Sequence, residues 1–342
     1  MKRALITGIT GQDGSYLAEF LEKRGYEIYG FMRRSSTDPY TRIAPLVDRG
    51  AIKIIYGNMR DHDTIRRALD DVRPDEVYNL AAQSHVAVSF VCAEETFDIN
   101  HWGVKRILGE IYQSHPHARF YQASTSELFG TTKPPQNENS PFAPVSPYSE
   151  AKLRAHHLVR EYRDKGVFAS AGILFNHESP RRGKHFVTRK LTDSLCKVKL
   201  GLQEHVTLGN LEARRDWGYA GDYVEAMWMM LQQPIADDYV IGTGESHSVR
   251  DFVEAVAAEL DMRISWEGHG LSEVGRDQDG KVVVRVSEKF YRPTDVDYLL
   301  CDSEKARRVL GWYPRVTFQG LVKMMVQADM DRIRRGSEEL HG

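Results

Sequence analysis

Four side chains in this sequence have the types and spacing needed for acid–base chemistry on a small molecule. Thr125 and Glu127 stand two apart in Ser124-Thr125-Ser126-Glu127. Tyr148 and Lys152 stand four apart in Tyr148-Ser149-Glu150-Ala151-Lys152. Residues four apart on a helix share one face, one turn above the other, so the Lys152 ammonium is expected beside the Tyr148 phenol. A neighbouring cation favours the phenolate and lowers a pKa that is otherwise about 10, which turns a tyrosine into a base at neutral pH. The Thr125 hydroxyl can hydrogen-bond the same substrate oxygen, and Glu127 adds a second acid–base group. Oxidation of an alcohol needs one base. A second one beside it points to an elimination as well. The bland alternative is that Tyr-x-x-x-Lys is a chance pair on a helix surface and Glu127 a capping or solvated carboxylate. Pro147 directly before the tyrosine, and the place of Thr125 and Glu127 at the end of a strand, favour the catalytic reading.

The redox partner is read from the beginning of the chain. Gly8-Ile9-Thr10-Gly11-Gln12-Asp13-Gly14 lies between an apolar strand and a helical pattern, the context a dinucleotide fingerprint requires. Glycines let the backbone approach a pyrophosphate, and the helix N-terminus stabilises its charge. About 20 positions further on, an NAD site usually places an acid on the ribose hydroxyls. Here that place holds Arg33-Arg34-Ser35-Ser36, which suits a 2′-phosphate and indicates NADP. Asn58 and Met59, at the end of the third strand, are expected at the adenine. Leu80-Ala81-Ala82-Gln83-Ser84 ends the fourth strand with small residues that let the nicotinamide ribose lie close.

Elements that could position these residues follow from periodicity. Strands are expected over 3–7, 28–32, 52–56, 76–82, 119–124 and 169–175, alternating with helices that begin near 16, 65, 104 and 148. Such alternation predicts an α/β fold, a Rossmann-type doubly wound parallel sheet. Residues 1–175 are expected to form the NADP-binding domain, with some later segments returning to it. Residues 176–335 are expected to be mainly a smaller, mixed α/β substrate domain. Its helices are predicted over 186–199, 219–232, 248–260, 303–310 and 318–335, with a short hairpin leading into 282–284.

Composition narrows the class further. The chain has 342 residues, 41% hydrophobic and 27% charged, with a formal charge of −2, so neither nucleic acid nor an anionic membrane is an expected partner. Cys92, Cys196 and Cys301 are odd in number and form no C-x-x-C, which favours free thiols in a reducing cytoplasm and no metal site. The apolar run after Met1-Lys2-Arg3 breaks at Thr7-Gly8, too early for a signal peptide. A soluble, cytoplasmic protein is expected.

The glycine loop, the Tyr-x-x-x-Lys pair and the Asn79-Leu80-Ala81-Ala82 strand end resemble the extended short-chain dehydrogenase/reductase superfamily, the NAD-dependent epimerase/dehydratases. Within it, longer segments are similar to the GDP-mannose 4,6-dehydratase family. They are 8–14, 84–90, Tyr121 to Gly130, Gly172 to Gly183, Arg215-Asp216-Trp217-Gly218 and Tyr291-Arg292-Pro293. The resemblance implies a lyase in which NADP accepts hydride from C4 of the sugar and returns it to C6. Tyr148, helped by Thr125 and Lys152, would take the 4-hydroxyl proton; Glu127 would remove the C5 proton and help expel the 6-hydroxyl as water. It also implies that Gly8, Gly11, Asp13, Arg33, Asn58, Leu80, Ser84, Lys152, His177 and Arg182 contact NADP. Asn176, Lys190, Arg215 and Arg292 would contact the GDP-sugar, with Ser84 beside them, and the chain would form a homo-oligomer, a dimer or a tetramer. Three alternatives remain at this level: the same chemistry on GDP-manno-heptose, a 4-ketosugar reductase or epimerase, and an NADP-binding sensor without turnover.

Overall fold

Apolar runs too short to be helices collect into one parallel sheet. The strands in chain order are β1 (Arg3–Thr7), β2 (Glu27–Met32), β3 (Ile52–Tyr56), β4 (Glu76–Asn79), β5 (Arg119–Thr125), β6 (Ala169–Leu174), β7 (Asn176–Glu178), β8 (Val206–Leu208), β9 (Arg214–Arg215), β10 (Trp217–Tyr219), β11 (Asp238–Ile241), β12 (His247–Ser248), β13 (Ser265–Glu267), β14 (Val274–Arg276) and β15 (Val282–Val286). The helices are α1 (Gln12–Glu22), α2 (Ala44–Asp48), α3 (His62–Val72), α4 (Val86–Ser89), α5 (Ala93–Phe97), α6 (Gly103–Ser114), α7 (Pro147–Asp164), α8 (Val187–Lys199), α9 (Ala220–Gln232), α10 (Val249–Glu259) and α11 (Phe318–His341). This computed structural model describes residues 1–36, 39–291, 296 and 298–341, the side chains of 337–341 excepted.

The main sheet has the order β11-β6-β5-β4-β1-β2-β3, with every neighbouring pair parallel. Strands buried on both faces are apolar without alternation, as in β6, where all six residues are buried. One face of the sheet packs on α1 and α9, through Leu17, Leu21, Met227 and Met230. The other packs on α3, α6 and α7, through Leu69, Leu108, Ala155 and Val159. The order reverses between β1 and β4, and ligands bind at such a switch point beyond the carboxyl ends of the strands.

A separate core gathers α8, α10 and α11 around β8 and β15, with Leu195, Phe252, Val284 and Met325 inside it. Its helices are also joined by buried polar groups. Arg189 pairs with Asp329 at 2.6 Å, and Thr192 donates to the same carboxylate at 2.6 Å. α9 and β11, though late in the chain, pack on the first sheet and extend it.

The fourth strand is shorter than its composition suggests. It stops at Asn79 rather than 82 because Thr7 Oγ1, which donates to Asn79 Oδ1 at 2.6 Å, accepts the amides of Leu80 and Ala81 at 3.2 and 3.1 Å. The Leu80 amide is shared with the Thr7 carbonyl at 3.3 Å, and the Ala81 amide goes to the hydroxyl, so the ladder ends here. The helix expected from 104 is preceded by α4, α5 and a π-helical turn over Asp98–Trp102, a type of bulge common at functional sites. Residues 306–310, expected within a helix over 303–310, form a second π-helical turn. The last helix runs on past 335 to His341.

Candidate active site

α7 begins with its first turn fixed. The Ser146 hydroxyl accepts the Ser149 amide and the Ser149 side chain returns to Ser146, with Pro147 at the first helical position; such a cap contributes about 1 kcal/mol. Ser89 Oγ on α4 accepts the Tyr148 amide at 3.1 Å. Tyr148 and Lys152, one turn apart, are thereby held at the carboxyl end of β5, and both are buried. Lys152 Nζ donates to the Ala123 carbonyl at 2.8 Å, and the Thr125 hydroxyl accepts the Glu127 amide at 3.3 Å. All four predicted catalytic side chains line one cavity of about 600 Å³.

The electrostatics differ from the simple pair picture. Burial pushes the Tyr148 phenol up to about 12, the nearby Glu127 charge adds to it, and a Thr125 hydrogen bond only partly offsets it. Burial brings the Lys152 ammonium down to about 8. Desolvation disfavours the charged form of both residues, and the ammonium is turned to a carbonyl rather than to the phenol. The protein alone therefore keeps Tyr148 protonated. Lowering its pKa needs further positive charge in the cavity.

At the switch point the glycine loop is built to be approached. Gly8 has φ +71°, and a Cβ there would lie 2.8 Å from Ala81 N; a Cβ on Gly14 would lie 2.5 Å from Gly8 O. No side chain caps α1 at Gly11, which suits its first amides to an anion. Asp13 and His177 tie this loop to β7, with Oδ2 and Nε2 2.8 Å apart. Burial opposes both charges, yet their attraction outweighs it: Asp13 lies below the usual carboxylate range and His177 above the usual imidazole range. Gln12 links the same pieces, donating to the His177 carbonyl at 3.0 Å and accepting from Ser179 at 2.8 Å.

The remaining sequence-expected residues separate into groups. Asp13, Leu80, Ala82, Ser84, His177 and Arg182 line the cavity with the catalytic set, as do Asn176, Lys190 and Arg215. Thr10, Arg33, Ser35 and Asn58 lie outside it, towards the ends of β1 to β3; Arg33, Ser35 and Asn58 are exposed. Met59 turns its side chain into the core. Gln83 is used internally: its side chain donates to the His85 carbonyl at 3.2 Å and to Thr96 at 3.0 Å, and accepts the His85 amide at 2.6 Å. Arg292 lies outside the described residues.

The far wall comes from the second core. Lys190 Nζ donates to the Thr207 carbonyl at 2.5 Å and sits 3.3 Å from the Phe290 ring centroid. Burial and the Lys289 charge bring it down to about 8. Arg215, on β9, is buried and donates to the Arg214 carbonyl at 2.9 Å. The buried Asn176 Oδ1 has no hydrogen-bond partner among the described residues, which fits an acceptor waiting for a ligand donor.

Sequence reasoning missed the residues that hold this arrangement. Asn100, on the π-helical turn, accepts the Gln83 amide and donates to its carbonyl, both at 2.9 Å. His156, one turn beyond Lys152, is fully buried; its Nδ1 lies 3.1 Å from Ser124 Oγ and its Nε2 3.3 Å from Asp238 on β11. This chain ties the strand end bearing Thr125 to the helix bearing Tyr148. The spacing 148, 152, 156 was a visible signal, but a lone histidine on a helix does not announce its partners.

Comparison with known proteins agrees with this geometry. A family model described as GDP-mannose 4,6 dehydratase matches residues 5–325. The chain is 51% identical to a GDP-mannose 4,6 dehydratase of Drosophila melanogaster, over 98% of this chain and 87% of that one. It is 51% identical to one of Homo sapiens, over 97% and 92%, and 46% identical to one of Vibrio cholerae, over 100% and 97%. Among solved structures, it resembles a UDP-glucose 4-epimerase of Thermus thermophilus in complex with NAD, at 25% identity and a TM-score of 0.78, covering 96% of this chain and 98% of that one. A dTDP-glucose 4,6-dehydratase of Bacillus anthracis, at 18% identity and a TM-score of 0.80 over 98% of both chains, shares the fold. With a family match spanning nearly all of its length and its acid–base residues gathered in one cleft, the chain belongs to the GDP-mannose 4,6-dehydratase family.

Proposed function

We propose that this chain converts GDP-mannose to GDP-4-keto-6-deoxymannose and water, using NADP as a cofactor that is regenerated in each turnover. The observation that carries the reading is that Thr125, Glu127, Tyr148 and Lys152 meet in one cavity whose opposite wall presents Lys190 and Arg215. A cavity with that composition suits a sugar at one end and a diphosphate at the other, since cations match the diphosphate charge.

The residues fit a nicotinamide dinucleotide: Gly8 and Gly14 let the turn and α1 pack tightly on the strand ends, α1 starts at Gly11 with no side-chain cap, and the small side chain of Ala82 lines the cavity. Gly8, Thr10, Gly11, Asp13, Arg33, Ser35, Asn58, Leu80, Ser84, Lys152, His177 and Arg182 would hold it. When bound, the oxidised group accepts hydride and brings the positive charge that favours a phenolate at Tyr148.

Tyr148 then takes the proton of the sugar 4-hydroxyl as hydride leaves C4, and Thr125 holds that oxygen. The resulting 4-ketone acidifies the C5–H. Glu127 would remove the C5 proton and return a proton to the departing 6-hydroxyl, so that water leaves; the hydride returned to C6 would be matched by a proton delivered to C5, which balances the one Tyr148 took from the 4-hydroxyl. Lys190 and Arg215, with Asn176 and the undescribed Arg292, bind the nucleotide sugar. The segment 176–335 is read as the part that mainly serves this binding, and the assembly as a homo-oligomer. No helix among the described residues is long and apolar enough to cross a membrane.

Mass spectrometry of GDP-mannose after incubation with purified protein and NADP tests the reading, with GDP-manno-heptose in parallel. Loss of one water from GDP-mannose, without net NADPH, is expected. Loss from the heptose alone would move the substrate and keep the mechanism; loss from neither would overturn both.

A further inference from the structure

β5 and α7 carry the acid–base set between them, yet the chain joins them through a long connection over 126–146. Their alignment is therefore left to side chains. Among the described residues, three ties run from one stripe of α7 to the end of β5. Tyr148 hydrogen-bonds Thr125, Lys152 Nζ donates to the Ala123 carbonyl at 2.8 Å, and His156 Nδ1 lies 3.1 Å from Ser124 Oγ. Residues spaced by four follow one another along a single helix face.

The third tie is anchored at both ends. The His156 ring is fully buried, with the Phe142 ring edge-on at 5.3 Å. Its Nε2 faces Asp238 Oδ2 at 3.3 Å, within ion-pair reach but out of line for a hydrogen bond. Asp238 opens β11 and also takes Arg160 Nε at 2.7 Å and Arg163 Nη2 at 2.5 Å. Burial opposes the Asp238 charge, yet His156 and Arg163 hold its carboxyl below the ordinary range. A carboxylate only accepts, so a ring proton belongs on Nε2, and the neutral ring takes the Ser124 hydroxyl at Nδ1. Successive turns of α7 are thus fastened to the edge strand of the sheet, and His156 carries that fastening inward to Ser124, next to Thr125.

Turnover makes different demands on the three ties. In the reading above, Thr125 and Tyr148 turn to the sugar 4-hydroxyl and Lys152 to the cofactor, so ligands draw on both of those ties. The buried Ser124–His156 tie stays within the protein. We propose that His156, acting through Ser124, is a positioning residue that keeps Tyr148 in register with Thr125 during turnover. The effect on rate rests on the dehydratase reading, whereas the tie itself rests on the packed geometry alone. A group held close to its reacting partner loses rate steeply when it shifts.

The test is turnover of GDP-mannose by His156→Leu, His156→Gln, Ser124→Ala and the double variant carrying His156→Leu and Ser124→Ala. Each rate is scored per folded molecule beside the melting temperature. His156→Leu should lower kcat about 10- to 100-fold, the scale of a misplacement of about 1 Å, and leave KM within about threefold. His156→Gln, whose amide can serve both Ser124 and Asp238, should recover most of the rate. In the Ser124→Ala background, His156→Leu should lower kcat by less than about twofold further, because residues acting as one unit are not additive. The same loss with and without Ser124, or a full rate per folded molecule at a lower melting temperature, would overturn the proposal. So would a raised KM at constant kcat. If His156→Leu does not fold, Ser124→Ala carries the test, and an undiminished kcat there overturns it. Hydrogen exchange over 147–156 needs no substrate and should quicken in both single variants; unchanged exchange overturns the tie itself. A wild-type chain that leaves GDP-mannose intact overturns the dehydratase reading, and exchange then decides on His156.

Discussion

The floor and the far wall of the cleft are built by different means. On the floor, Thr125, Glu127, Tyr148 and Lys152 sit on β5, the turn after it and one turn of α7, held by the sheet ladder, a capping box and the His156 link. On the far wall, Lys190 and Arg215 come from α8 and a two-residue strand, and the neighbouring backbone is pinned by one close contact. A Cβ on Gly209 would lie 2.3 Å from Phe290 O. Groups that make and break bonds need fixed mutual geometry. Groups that grip a diphosphate need charge and reach. The difference predicts that damage to the floor appears in kcat and damage to the wall in KM.

Glu127→Gln should have the largest effect. Loss of a positioned acid–base group typically costs about 10²- to 10⁴-fold, so water loss should nearly cease by mass spectrometry. A single-turnover experiment should still show transient reduction of the nicotinamide, because Tyr148 remains. If both stop together, Glu127 also acts in the oxidation and the floor is less divided than proposed.

Lys152→Met tests how the floor tolerates its buried cation. The folded-state pKa of Lys152 is about 8 against an ordinary 10.5. Between these values the unfolded chain binds more protons than the folded one, so the Lys152 contribution to stability rises with pH from about 8 to 10.5. Below pH 8 the buried ammonium costs about 3 kcal/mol relative to the unfolded chain, the free-energy equivalent of that shift. In urea titrations, the stability of the wild type relative to the variant should therefore climb across that window. A flat difference would show that the ammonium is not burdened by burial. Wild-type turnover should move the other way, falling as the ammonium is lost.

Arg215→Gln breaks the wall. KM for GDP-mannose should rise about 10- to 100-fold, as expected for one charged hydrogen bond to phosphate, with kcat changed by less than about threefold. A fall in kcat at constant KM would place Arg215 with the floor instead. Ser146→Ala should have the smallest effect, about 1 kcal/mol of stability in the same urea titrations. The accompanying loss of kcat would measure how tightly the capping box positions Tyr148.

Much of the floor was legible in the sequence because its signals are local. A tyrosine and lysine at i and i+4, a glycine triplet between strand and helix, and an acid two residues after a threonine each act over one turn or one loop. The far wall was legible only through family resemblance, since nothing in the residues around Lys190 or Arg215 announces a shared cavity. β11 was missed as a strand because its four residues are few and show no period; only pairing with β6 makes them one. The Tyr148 phenol was expected to be lowered by its neighbour, whereas burial, a property of the folded chain, dominates both groups.

The sequence by itself therefore determined the fold class and pointed to the proposed cofactor loop and acid–base set, because hydrophobic period, glycine geometry and helix spacing are short-range and survive without knowledge of the fold. Tertiary structure alone decided that Asp13 meets His177 and that His156 lies between Ser124 and Asp238. These are contacts between distant segments. Their existence and charge balance depend on which surfaces the packed layers bring together and how completely water is removed from between them.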